Sequence, residues 1–137
     1  MSLFKGIKDT PIRETAEYFP EGKFTVSVNR VKQHEKQTGQ KYFIVEFKVL
    51  DSTNPQMPAG STAQFMETFK FIPKGLARVK QFIVAASGGD FSADDVTEEV
   101  AEMVVSEKQP LAGKTLRITT KLNEKGSFME HNFYPAG

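Results

Sequence analysis

The sequence predicts a mainly β domain in which a helical connection interrupts five antiparallel strands, in the order β-β-β-α-α-β-β. Three observations support this prediction. In several short segments, large apolar residues alternate with polar ones, which is typical of strands with one buried face. Between Pro73 and Val104 the apolar spacing changes to three and four, which indicates amphipathic helices. Two further alternating segments then flank a turn, as in a β-hairpin.

The first three strands are predicted to form a meander around the segment Lys41–Leu50. A strand over Lys23–Gln33 precedes it, with Val31 out of step in the alternation and therefore a candidate bulge. A strand over Ser61–Phe71 follows it, and Glu67 shares the side of its phenylalanines. The core is expected to contain the large rings that alternate along these strands: Phe43, Phe47, Phe65 and Phe69.

The helical connection is predicted to contain two helices. Pro73 favours the start of the first, and Gly88 with Gly89 favours its end. The second is expected over 92–107, where the Ser92 hydroxyl can cap the helix and an acid follows three residues later. The chain then returns to β structure, with Asn123–Gly126 as the turn of a final hairpin.

The charges are segregated along the chain, although the net charge is only +1. Residues 90–109 contain seven acidic residues and one base, so the rest of the chain is basic. Either the acids form the solvated face of the second helix, or they contact a partner protein. A basic body favours a polyanionic partner such as a nucleic acid.

Composition and motifs favour a binding protein over an enzyme. The absence of cysteine excludes disulfides, thiolate metal sites and cysteine nucleophiles. His34 and His131 are far apart in sequence, and no metalloprotease, P-loop or nucleophile-elbow motif is present. We expect no cofactor and no metal. The chain has no apolar run of signal-peptide or membrane-spanning length, so a cytoplasmic protein without membrane contact is expected.

The predicted element order is that of an OB fold, a five-stranded Greek-key barrel with a helical insertion between strands 3 and 4. The same order also fits an open sheet with two helices on one face. In the barrel interpretation residues 20–137 form the domain and residues 1–19 form an N-terminal arm. The oligomeric state is left open, and a homo-oligomer is one alternative.

Five short segments occur in order across residues 19–135: FPEGKFTVSV, GQKYFIVEF, LARVKQFIVAASGG, LAGKTLRI and NFYP. Together they resemble a family of short phage-encoded single-stranded DNA-binding proteins of the single OB-fold type. The resemblance implies sequence-independent binding of single-stranded DNA in phage replication and recombination, within the host cytoplasm. Many replicative single-strand binders end in an acidic tail that recruits partner enzymes, whereas this chain ends FMEHNFYPAG. Recruitment of replication or recombination proteins is then either absent or a task of the acidic helix 92–107.

Binding of single strands requires cations for the phosphates and flat side chains for stacked bases. Tyr42 is the main stacking candidate on the outward side of the central strand, and Glu46 on the same side would repel phosphate. The predicted contacts lie on the outward side of the meander, beside the first loop and around the last hairpin: Arg30, Lys32, Lys36, Lys41, Tyr42, Lys48, Met66, Lys70, Arg117, Lys121, Lys125 and Phe128.

An alternative function is a protein-interaction module of a phage that does not bind nucleic acid. In that interpretation Tyr42, Ile44 and Met66 form a dry patch, and the surrounding lysines are its polar rim. Salt distinguishes the two functions, because counterion release makes nucleic-acid binding weaken steeply with salt.

Overall fold

A computed structural model describes residues 18–35, 37, 39–68, 72–124, 126 and 129–136. Five strands form one antiparallel sheet in the order β3-β2-β1-β4-β5. The strands are β1 (Gly22–Glu35), β2 (Lys41–Ser52), β3 (Thr62–Thr68), β4 (Thr115–Leu122) and β5 (Met129–Pro135). Two α-helices, α1 (Ile72–Ala86) and α2 (Glu98–Val104), lie between β3 and β4. The predicted mainly β class and element order are confirmed.

The inward sides of the strands build one hydrophobic core. The predicted core residues Phe43, Phe47 and Phe65 are buried, whereas Phe69 lies outside the described residues. Helix α1 covers this side of the sheet through Phe82, whose ring lies edge-on at 5.9 Å from those of Phe43 and Phe47. Burial of these rings away from water drives the docking of the helix.

Two register shifts interrupt the pairing of β1 with β2. One lies between Val28 and Arg30, and it restores Val31 to the buried side while Arg30 is exposed. The predicted bulge is therefore confirmed. The second shift leaves Leu50 without a partner on β1. Bulges bend a strand and increase its twist, which lets β1 pair with β2 along its length and with β4 through its first half.

The helical connection differs from the prediction in its second part. Helix α1 ends as expected, because Gly88 and Gly89 adopt φ angles of 66° and 102°. The continuous helix expected over 92–107 is divided: Asp95 Oδ2 accepts from Ser92 N at 2.8 Å and closes a single 3₁₀ turn. Helix α2 begins only after Thr97, whose hydroxyl accepts from a backbone N–H inside the helix. No helix in the described ranges is long and apolar enough to cross a bilayer.

Glu67, which shares the side of the phenylalanines on β3, faces the interior. Its side chain is largely buried, and its Oε1 accepts a hydrogen bond from Arg78 Nη1 on α1 at 2.8 Å. A buried carboxylate requires such a partner. The pair therefore joins β3 to α1.

The outer strands of the sheet, β3 and β5, meet through side chains. No β-ladder joins them in the part of the chain that the structure describes. The ring of Phe65 on β3 nevertheless lies 5.0 Å from Phe133 and 5.1 Å from His131 on β5. Tyr18 forms an isolated parallel bridge with Gln64 at the edge of β3. The sheet is thus curved, with its two edges packed together but not joined by strand pairing.

Candidate nucleic-acid interface

The outward side chains of β1, β4 and β5 form rows across the strands. Thr25 lies opposite Arg117, which in turn lies opposite Tyr134. In the neighbouring row Lys23 lies opposite Thr119. Direct neighbours in such rows have Cβ atoms about 5 Å apart, and diagonal neighbours such as Lys23 and Arg117 about 7–8 Å. Two cations and a phenol ring therefore lie within reach of one small ligand.

These rows line an open concavity of about 380 Å³, which we name the outer pocket. Asp51 and Thr53, at and after the end of β2, form its other wall. Thr53 Oγ1 accepts from Lys23 N at 2.9 Å, which holds this loop against β1. Arg117 Nε donates to Pro135 O at 3.0 Å, which fixes the guanidinium beside β5. The outward-facing residues that line the outer pocket are Lys23, Thr25, Asp51, Thr53, Arg117, Thr119 and Tyr134.

The outward side of β2 and β3 has a different character. Tyr42 is only 7% exposed and Ile44 only 9%, although both alternate with core residues. Met66 lies opposite Ile44 and is half-buried. A ring as buried as that of Tyr42 offers little surface to a nucleobase, so its role in stacking stays a prediction.

An ion pair neutralises Glu46, the residue that the sequence analysis expected to repel phosphate. Its Oε1 lies 2.7 Å from Lys32 Nζ, and both side chains are half-exposed. An ion pair this exposed contributes little to stability, about 0–1 kcal/mol. It does remove both charges from the field that a polyanion would meet, so Lys32 is a weaker phosphate contact than the sequence suggests.

The other predicted cations on described residues are exposed: Arg30, Lys41, Lys48, Arg117 and Lys121. None of these five forms an ion pair with an acid in the described ranges. Four further predicted contacts lie outside the described residues: Lys36, Lys70, Lys125 and Phe128. Their roles stay predictions.

Two contributions to this surface were missed by the sequence analysis, Lys23 and Tyr134. Tyr134 is 42% exposed and lies opposite Arg117. The signal was present, since Tyr134 follows the inward-facing Phe133 and alternation places it outward. Tyr18 is also exposed, at 56%, but it forms a bridge with Gln64 at the edge of β3 and does not line the outer pocket.

His131 lies on the interior side of β5 and does not add charge to this surface. The pKa of His131 is lowered to about 4, chiefly by burial and also by the positive charge of Arg78, against the opposing effect of a hydrogen bond with the Met129 backbone. Its Nε2 atom is buried without a hydrogen-bond partner. The imidazole is therefore neutral at pH 7. No cluster of three potential metal ligands occurs within the described ranges.

The seven acids between α1 and β4 are all exposed, and none lies on a strand: Asp90, Asp94, Asp95, Glu98, Glu99, Glu102 and Glu107. Asp90 Oδ2 lies 3.8 Å from Nζ of Lys114, the residue just before β4. Hydrogen bonds from the backbone and hydroxyl of Ser92 lower the pKa of Asp95. The charge segregation of the sequence is thus preserved in the fold, with the acids kept off the sheet.

No protein-family model matches this chain, and a search of curated proteins finds no match. The family resemblance therefore rests on the five sequence segments. The outward side of the sheet supplies ammonium and guanidinium groups, hydroxyls and the exposed phenol ring of Tyr134. These groups can bind phosphates and stack on bases.

Proposed function

We propose that the protein binds single-stranded DNA without sequence preference along the outward side of its sheet, and protects the strand during phage replication and recombination. The observation that carries the proposal is the placement of the exposed cations. Five of them lie on the outward side of adjacent strands, whereas the acidic segment lies between α1 and β4: Lys23, Arg30, Lys48, Arg117 and Lys121.

The arrangement suits an extended polyanion better than a compact ligand. Cations spread over β1, β2 and β4 can each meet a phosphate, and each contact releases counterions. Acids also lie on the sheet, with Glu35 on β1, Asp51 on β2 and Glu130 on β5, so the positive field is moderate. The exposed ring of Tyr134 favours a single strand, because a base in a duplex is already stacked and paired.

The strand order supports an OB-type barrel as the scaffold. In this proposal the barrel is completed by side chains, since the outer strands β3 and β5 pack together through Phe65, His131 and Phe133 without a ladder between them in the described residues. OB folds commonly bind oligonucleotides on one side of the barrel, although a fold alone does not establish a function.

The alternative of a protein-interaction module is less well supported. It needs an exposed apolar patch built from Tyr42, Ile44 and Met66. Since Tyr42 and Ile44 are each less than a tenth exposed, little apolar surface is left for a partner to cover. A role of the exposed acids in recruiting replication or recombination proteins is compatible with DNA binding elsewhere, and we retain it as a proposal.

The test is fluorescence anisotropy of labelled oligo-dT titrated with the protein over a series of salt concentrations, with a duplex of equal length as control. We expect salt-sensitive binding to the single strand and much weaker binding to the duplex. The double variant Arg117→Ala/Lys121→Ala should bind more weakly and reduce the slope of log K against log salt by about 1.4, or about 0.7 per cation.

A matched control for this experiment is Lys80→Ala/Lys108→Ala, which removes two exposed cations outside the strands. It should leave binding within about twofold of the original, because neither cation lies on the sheet. The proposal is wrong if the original protein does not bind oligo-dT at low salt, or if both double variants weaken binding equally.

A further inference from the structure

The outer pocket is concave, and its walls carry three chemically different kinds of group: cations, a phenol ring and a carboxylate. Its volume of about 380 Å³ falls within the range of roughly 300–1,000 Å³ that is typical of small-ligand sites. Its cations and its ring lie on β1, β4 and β5, and Asp51 comes from the end of β2, whereas the predicted stacking residue Tyr42 lies near the start of β2. Among the described residues, the predicted stacking residue Tyr42 does not line this pocket.

We propose that the outer pocket holds one nucleotide unit of the bound strand, with its base on Tyr134 and its phosphate between Lys23 and Arg117. This inference rests on the proposed function and assigns the place where a base is stacked. Tyr134 is the exposed ring that lies directly opposite a guanidinium in the sheet register.

The geometry of Arg117 supports phosphate binding. Its Nε donates to Pro135 O, which holds the side chain along β5. The guanidinium retains further N–H donors on its two terminal nitrogens. Lys23 lies one row away on the same side, so a phosphate between them is met from two directions.

Asp51 distinguishes this pocket from a plain anion site. Its Oδ1 accepts from Ser52 N at 2.9 Å, which leaves the other carboxylate oxygen to accept from a ligand N–H. Every nucleobase carries an N–H donor on its pairing edge, so this contact does not demand one base. The pocket therefore offers cations that bind a phosphate and a carboxylate oxygen that accepts a hydrogen bond from a base. A nucleotide requires both.

The surroundings favour a nucleotide within a strand over a free one. Along β4 the outward side continues from Arg117 to Lys121, and along β1 it continues from Thr25 to Ser27, which lies opposite Lys48. Exposed cations therefore lie beyond the pocket in two directions. A chain of phosphates can enter and leave, whereas a free nucleotide gains nothing from these charges.

The test compares oligo-dT binding by the original protein, Tyr134→Ala, Tyr134→Phe and Lys23→Glu. Loss of one stacked base should reduce affinity about fivefold to hundredfold in Tyr134→Ala. Tyr134→Phe retains the ring and should bind within about twofold of the original. Lys23→Glu, which leaves the ring intact, should weaken binding and reduce its salt dependence. Tyr18→Ala is the matched control, because it removes another exposed tyrosine and should leave binding unchanged.

Photocrosslinking provides a second measurement on the unaltered protein. Oligo-dT carrying a single 5-iododeoxyuridine should crosslink to Tyr134, located by mass spectrometry. If the protein does not bind oligo-dT, the proposed function fails. If it binds with unchanged affinity after Tyr134→Ala and crosslinks elsewhere, this inference alone is overturned. It is also overturned if free dTMP occupies the pocket as tightly as oligo-dT does.

Discussion

The outward side of the sheet has two regions that look alike in sequence and differ in the fold. In the β2–β3 half, Tyr42 and Ile44 are buried, and Glu46 is paired with Lys32 of the neighbouring strand β1. In the β4–β5 half, Tyr134 and Arg117 are exposed beside an open pocket. Alternation tells which way a side chain points, but exposure depends on what surrounds it. One half uses its outward aromatic for packing, and the other leaves its aromatic open to a ligand.

The largest expected effect is a difference in stability between alanine variants of the two tyrosines, Tyr42 and Tyr134. Tyr42→Ala should lower the free energy of unfolding by about 3 kcal/mol, because it removes a buried ring. Tyr134→Ala should lower it by less than about 1 kcal/mol, because the ring is already in water. Urea denaturation followed by circular dichroism measures both. Equal losses would contradict the comparison.

The next effect is a pH dependence of stability that arises at the interior contact between the halves, where the rings of His131 and Phe65 pack together. The pKa of His131 is about 4 in the fold and near 6.5 when unfolded, so the unfolded state takes up the proton first as pH falls. Stability is therefore present above the unfolded pKa and is lost as pH falls towards 4. Between pH 7 and pH 5 this residue should account for a loss of about 2 kcal/mol.

This pH dependence is checked by urea denaturation at both pH values. His131→Phe should flatten the difference, since the ring is retained and the titrating group is removed. His34→Gln changes an exposed histidine and is the matched control, which should keep the original dependence. An unaltered pH dependence in His131→Phe would show that His131 is not the group responsible.

A smaller effect is expected on oligo-dT binding when the ion pair between Glu46 and Lys32 is removed. Glu46→Gln frees Lys32 and removes an outward carboxylate, so oligo-dT affinity should rise about twofold to fivefold, as expected for an exposed pair. Glu99→Gln, at an exposed acid on α2, is the control and should change little. If both variants gain equally, the effect comes from net charge and not from the local pair.

The smallest effect is expected in the acidic segment. Neutralising Glu98, Glu99 and Glu102 to glutamine should change the free energy of unfolding by less than about 1 kcal/mol, chiefly through the α2 dipole. Oligo-dT affinity should change by less than about threefold in anisotropy titrations at moderate salt. Co-purification with replication or recombination proteins tests the recruiting role, and unchanged partner binding would exclude it.

Much of the local structure was predictable, because it depends on residues that are close in sequence. The buried alternation of β2, the bulge just before Val31 and the stop at Gly88 and Gly89 all follow from side-chain period and backbone preference. The helix expected over 92–107 was overextended, because the hydrogen bonds between Ser92 and Asp95 close one turn instead of starting a long helix.

The candidate site was only partly predictable. Arg117 and Lys121 were placed correctly on the outward side of a strand, since their neighbours Leu116 and Ile118 are plainly core. Tyr42 has the outward parity of a stacking residue, yet it is almost fully buried. The concavity beside Tyr134 was not foreseen, because its walls come from four strands and a loop residue that are distant in sequence.

The sequence by itself determined the elements, their order and the charge segregation, because these depend on short-range periodicity and composition. Only the tertiary structure decided which outward residues stay exposed and which segments meet. The Gln109 side chain shows the difference: its Oε1 accepts from Val31 N at 2.7 Å and its Nε2 donates to Val31 O at 2.6 Å. Such contacts between residues 78 apart arise when the whole chain buries its apolar surface together, and no local pattern records them.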